Sequence, residues 1–129
     1  FVLHRDDTAG VRRTRIPDVS FVRKGRIPQN FDMSLPFPGA PDLAVEVMSP
    51  DDAADEVLAG IRVYLTYGAK QAWVLYPKTE QRELHQYVAG EGGSHIYKAG
   101  DTLVMSSSDV LPDLELVVND LFALPDLGE

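Results

Sequence analysis

The stretch Pro41-Asp42-Leu43-Ala44-Val45-Glu46-Val47-Met48-Ser49-Pro50 constrains this chain more than any other. Leu43, Ala44, Val45 and Val47 are apolar at odd and even positions alike, the pattern of a strand buried on both faces inside a sheet. A carboxylate is costly among such neighbours unless it is neutralised, paired or bound to a cation, so Glu46 is the first candidate for chemistry. Ser49-Pro50-Asp51-Asp52 then reads as a helix N-terminus, with Ser as N-cap, Pro at the first helical position and acids in the first turn. The helix is expected from about Asp51 to Tyr67, with Val57, Leu58, Ile61, Tyr64 and Leu65 as its buried stripe and Gly68 as its stop. Gln71-Ala72-Trp73-Val74-Leu75-Tyr76 is a second buried strand, ended by Pro77. Strand, helix and strand make a crossover, which is right-handed in nearly all sheets.

The flanking segments read as antiparallel. Phe1-Val2-Leu3-His4 is strand-like, Asp6-Asp7-Thr8-Ala9-Gly10 is a turn, and the segment from Arg15 to Val22 is the next strand, with Asp18, Ser20 and Val22 on one side and Val19 and Phe21 on the other. Proline and glycine between Ile27 and Ala40 mark an irregular connection. After Pro77, the pieces 82–87, 95–97 and 102–105 read as a continuing meander, 111–118 as a last strand-like piece, and 119–124 as a short terminal helix capped by Asn119. The expected architecture is α/β: one domain over 1–129 built on a mixed β-sheet with a crossover helix. The strand-like start without a methionine suggests that an upstream segment is missing.

Charge is unevenly spread. The net charge is −8, which by itself argues against a polyanionic partner. Residues 1–30, however, hold Arg5, Arg12, Arg13, Arg15, Arg23, Lys24 and Arg26 against Asp6, Asp7 and Asp18, a surplus of four positive charges that leaves a surplus of twelve negative ones on the rest. A basic end beside an acidic body can steer DNA towards a carboxylate site; the same charges also suit solvated hairpin loops. No cysteine is present, which excludes disulfides and thiolate metal sites and makes a reducing cytoplasm the expected location. No run of about 18 apolar residues offers a membrane span, and no signal sequence is seen.

Asp42 and Glu46 share one face of one strand, but four residues at about 3.3 Å each put them roughly 13 Å apart, too far to share an ion. A partner for Glu46 must come from a neighbouring strand, and Asp18 is the natural candidate. Two such carboxylates suit a magnesium or manganese ion, which takes one or two protein carboxylates and fills its remaining positions with water and phosphate oxygens. Each has a plainer reading: Asp18 as a strand-starting carboxylate after Pro17, Asp42 likewise after Pro41, Glu46 as a buried ion pair. Glu56 reads as a solvated first-turn acid. His4, His85 and His95 show no ligand spacing, and Trp73 and Tyr64 read as core.

Pro17-Asp18-Val19-Ser20-Phe21-Val22, Pro41-Asp42 through Glu46 to Ser49-Pro50, the helix with Tyr64 and Gly68, Trp73-Val74-Leu75-Tyr76-Pro77 and Leu111-Pro112-Asp113-Leu114-Glu115-Leu116 together resemble the Uma family of restriction endonucleases, within the PD-(D/E)XK nuclease superfamily. The resemblance runs from Arg15 to Leu124. It implies a restriction-endonuclease-like core and metal-dependent cleavage of DNA, with Asp18 matching the "PD" aspartate, Glu46 the acid of the "(D/E)xK" element and Asp42 a recurrent position of less defined role. The superfamily's lysine is replaced: Met48 stands two residues after the acid, and Gly60 stands where many family members carry the lysine on the helix. Arg62, about 200° round the helix from Gly60, points elsewhere. Two expectations from different classes follow. One is a divalent-metal-dependent endonuclease using Asp18, Glu46 and Asp42; the other is a nuclease-fold binding or assembly module that has lost cleavage, for which a homodimer is the expectation.

Overall fold

The computed structural model describes the backbone of all residues except 7–10, 15–16, 33, 35–36, 79, 81, 106–109 and 123–129, and no side chain within 2–16. Its centre is a five-stranded sheet of β3 (Val19–Phe21), β4 (Leu43–Val47), β5 (Gln71–Tyr76), β6 (Glu83–Val88) and β7 (His95–Lys98), in that spatial order. β4 and β5 are parallel, with Glu46 beside Val74, and every other neighbouring pair is antiparallel. The helix α1 (Ala54–Thr66) makes the crossover between the parallel strands. The sheet is therefore mixed and the fold α/β, as the apolar runs at β4 and β5 require.

The two faces of that sheet are packed differently. Leu43, Val45, Trp73, Leu75 and Leu84 form the large-residue face, closed by Leu103, Met105, Val110 and Val118. Ala44, Ala72 and Val74 form the other face and meet Ile61 and Tyr64 of α1. Small residues under the helix allow its backbone close to the sheet and leave room for a buried tyrosine. Beyond Tyr67, Ala69 N–H donates to Tyr64 C=O at 2.9 Å and Gly68 N–H to Leu65 C=O at 3.4 Å, a Schellman closure with Gly68 at φ +117°.

Three details depart from expectation. α1 begins at Ala54 with Ala53 as an N-cap that makes no side-chain bond. Ser49 to Asp52 instead close a turn of their own, Asp52 N–H donating to Ser49 C=O at 3.1 Å and Ser49 N–H to Asp52 Oδ2 at 2.9 Å. Proline at the second position of such a turn is as favourable as at a helix start, so the sequence fits both. Second, residues 11–14 form a strand that was not foreseen: β1 (Val2–Asp6) and β2 (Val11–Thr14) make a two-stranded ribbon. Third, the meander ends at β7. Lys98 N–H donates to Asp101 Oδ2 at 2.7 Å and Asp101 N–H returns to Lys98 C=O at 2.9 Å, a tight reversal that sends β8 (Thr102–Val104) to pair with β9 (Glu115–Val117) over the large-residue face. The terminal turn over Val118–Phe122 is 3-10; the last two residues expected in it lie outside the described ones.

Candidate active site

β3 runs antiparallel to β4 with Val19 opposite Val45 and Ser20 opposite Ala44, and the same register carried one residue further sets Asp18 opposite Glu46. Opposed residues of an antiparallel pair share a face, with Cβ atoms about 4.5–5.5 Å apart. Ala44 belongs to the helix-side core, so both carboxylates are on that face. They line one cleft of about 390 Å³ together with Val47, Ser49, Asp52, Glu56 and Val57. Asp18 Oδ2 accepts the Val47 backbone N–H at 2.7 Å. Glu46 Oε1 accepts the Tyr64 hydroxyl at 3.3 Å.

The crossover explains why these groups meet. β4 ends at Val47, the turn over Ser49 to Asp52 reverses the chain, and α1 returns across the sheet with Glu56, Gly60 and Tyr64 spaced one turn apart on one stripe. The first of these lines the cleft and the last reaches Glu46. Two contributors escaped the sequence reading. Tyr64, fully buried, reads as core because the 3.6-residue period cannot tell a packing tyrosine from one whose hydroxyl touches an acid; its position eight residues beyond Glu56 was the available signal. Asp52 reads as a first-turn acid, and the turn brings it to the cleft wall.

Asp42 is not with them. At the opposite end of β4 it is 1 % exposed; its Oδ2 accepts the Arg23 N–H at 2.7 Å and pairs with Arg26 Nη1 at 2.9 Å. Arg26 is anchored further by Nη2 donating to Ala40 C=O at 2.8 Å. The histidines also lie elsewhere: His85 Nε2 contacts Glu83 Oε2 at 2.8 Å and its ring packs 4.5 Å from that of Tyr76, while His95 contacts Glu91 at 2.8 Å. Burial, then Tyr87 and Glu83, hold the Tyr76 phenol above its ordinary pKa, so Tyr76 is a neutral hydroxyl.

The described lining of the cleft carries four carboxylates, those of Asp18, Glu46, Asp52 and Glu56, and no cationic side chain. Among the described residues no group of three or more His, Cys, Asp or Glu is close enough to hold one ion. The pair formed by Asp18 and Glu46 is a hard-oxygen donor set of the size magnesium and manganese use, one or two carboxylates with the rest supplied by water and phosphate. A smaller groove of about 180 Å³ adjoins the cleft, sharing Ser49 and Asp52 and lined also by Met48, Tyr76 and Lys78.

Comparison with known proteins now bears on this geometry. A family model, Uma2, described as "Putative restriction endonuclease", matches residues 5–119. The chain belongs to the Uma2 family. Among solved structures, "a putative nuclease belonging to DUF820 from Anabaena variabilis ATCC 29413" superposes with a TM-score of 0.67 at 24% identity, over 84% of this chain and 59% of that one. That likeness is one of fold, and the matched part spans about three fifths of the neighbour's length. No curated protein matches the chain.

Met48 and Gly60, the two positions where the family resemblance leads one to expect lysine, are both near this end of the fold. Met48 is half-buried against the helix-side core and lines the adjoining groove. Gly60 is buried in α1, one turn from Glu56 and one turn from Tyr64. No helix among the described residues is long and apolar enough to cross a membrane.

Proposed function

We propose that this Uma2 chain is a divalent-metal-dependent endonuclease that hydrolyses phosphodiester bonds, with DNA as substrate. One observation carries the reading: Asp18, one residue before the paired part of β3, and Glu46 of β4 line the same cleft. These two would hold Mg²⁺ or Mn²⁺, which when bound supplies Lewis-acid stabilisation of charge on the phosphate and a more nucleophilic water. The chain's own groups do the positioning. The Val47 N–H fixes Asp18, and the Tyr64 hydroxyl fixes Glu46. Asp52 and Glu56 make the rest of the wall negative, so a phosphate approaches only when a cation offsets the repulsion.

Incubation of supercoiled plasmid with the protein in magnesium or manganese is expected to give nicked circles. Glu46→Ala should slow nicking by roughly two to three orders of magnitude, the scale of losing one preorganised charge-stabilising group. Absence of nicking, or equal nicking by both proteins, would tell against the enzyme.

A second reading rests on Met48 and Gly60, which occupy the positions where the related nucleases carry lysine. On that reading the chain keeps the fold and the acids but serves as a binding or assembly module. Gly60→Lys separates the two. A lysine at this buried position can extend its ammonium into the cleft, and a silent wild type that begins to nick on this change is expected only if cleavage has been lost.

A further inference from the structure

The helix-side face carries a further cavity away from the carboxylates. Phe1, Val22, Ile27, Phe31 and Phe37 line about 170 Å³, and among the described residues that lining is wholly apolar. Phe37 is its centre: the Phe1 ring stands 5.7 Å away at 64° and the Phe31 ring 5.4 Å away at 68°, both edge-on, with the Arg26 guanidinium carbon 5.6 Å from the Phe37 centroid. Edge-to-face packing fixes the rings and leaves aromatic surface turned to the cavity.

Its location and surroundings say what such a cavity can take. Val22 lies on the same side of β3 as Asp18 and Ser20 by the two-residue period, and four residues separate it from Asp18, roughly 13 Å at a strand's rise. β3 is an edge of the five-stranded sheet, and Asp18, Val19, Ser20 and Phe21 are all exposed, so an open strip joins the cleft to the cavity. At the cavity end of the strip stand Arg23 and Lys24. Both are exposed, and among the described residues neither side chain makes an ion pair. Apolar aromatic walls flanked by available cations complement a group with a flat unsaturated ring and an anionic tether, which describes a nucleotide in an unstacked strand. An apolar peptide would use the walls but not the cations.

We propose that this cavity receives one unstacked base of a nucleic-acid strand whose backbone follows the β3 edge, with Arg23 and Lys24 against its phosphates. The choice of nucleic acid rests on the nuclease reading above, but the site is testable without cleavage. The full chain is titrated, in chelator and at several salt concentrations, with a fluorescent thymidine oligonucleotide and with an abasic strand of the same length and charge. Wild type should hold the base-bearing strand roughly tenfold more tightly, the scale of stacking one base on an aromatic ring. Phe31→Ala should erase that preference. Phe31→Leu, which keeps apolar bulk without the ring, should erase it too while the unfolding midpoint stays near wild type, which separates loss of the site from loss of the fold. Lys24→Ala should weaken both strands equally and lower the salt slope by about one. Equal affinity of wild type for the two strands, no binding of either, or a preference that survives both Phe31 changes would overturn the proposal whether or not the protein nicks plasmid. Conversely, these results with no nicking would leave the base site standing and count against the nuclease alone.

Discussion

Asp18 and Asp42 follow a proline in the same dipeptide, and each closes an end of the same strand pair, yet the fold treats them in opposite ways. Asp42 is sealed at 1 % exposure with a guanidinium and a backbone N–H on one oxygen. Asp18 is exposed in a cleft with three other carboxylates and accepts a neutral backbone N–H. A carboxylate that is buried, paired and hydrogen-bonded has its charge accounted for by the protein. One left in an open acidic wall is compensated by solvent or by something bound. The difference between two Pro-Asp pairs therefore sets a sealed, paired carboxylate at one end of β4 and an open one in the acidic cleft at the other.

The contrast breaks most visibly at the sealed end. Asp42→Ala leaves Arg26 held by Ala40 C=O but without its anion, and leaves the Arg23 N–H without its acceptor. The expected loss is about 3 kcal/mol, towards the low end for removing one partner of a buried ion pair because the Arg26 side chain is 37% exposed. Urea unfolding measures it: the midpoint should fall with little change in slope. A midpoint within error of wild type would show that the pairing at this end is not what orders it.

A smaller effect sharpens the other end. Manganese at about ten times its dissociation constant should raise wild-type stability by about 1.4 kcal/mol, since the ion binds only the folded chain. Asp18→Asn keeps a carbonyl to accept the Val47 N–H, so the fold should persist while the metal-induced rise in melting temperature is largely lost. Asp42→Asn should keep that rise, from a lower starting point. An equal rise in all three proteins would place the ion somewhere other than between Asp18 and Glu46.

How much of this was legible beforehand follows the strength of local signals. β4, β5 and the body of α1 are written in apolar runs, broken in β4 only by Glu46, and a clear 3.6-residue stripe, and the structure returns them. β2 is Val11-Arg12-Arg13-Thr14, with no apolar alternation to announce it, and among the described residues it pairs only with β1. The start of α1 was misplaced because Ser-Pro-Asp-Asp suits a closed turn as well as a helix cap. Pro17-Asp18 and Pro41-Asp42 are alike in sequence; what separates them is Arg26 arriving from the 3-10 turn Lys24–Arg26 after β3, a contact that the tertiary fold supplies. The register that aligns Asp18 with Glu46 is likewise a property of pairing, although the order of the strands in the chain was enough to nominate it.

The smallest expected effect tests whether Tyr64 belongs to the core or to the site. Its ring is fully buried among Ala44, Ala72 and Ile61, and Tyr64→Phe retains all of that packing. Removing the hydroxyl deletes the 3.3 Å bond to Glu46, worth about 1 kcal/mol or less in stability. If the hydroxyl orients Glu46, the manganese concentration for half-maximal nicking should rise about tenfold, the lower range for losing a group that supports a metal ligand, while the maximal rate changes little. A purely structural hydroxyl would lower the unfolding midpoint and leave the metal dependence where it was, because a packing defect has no means of distinguishing a loaded carboxylate from an empty one.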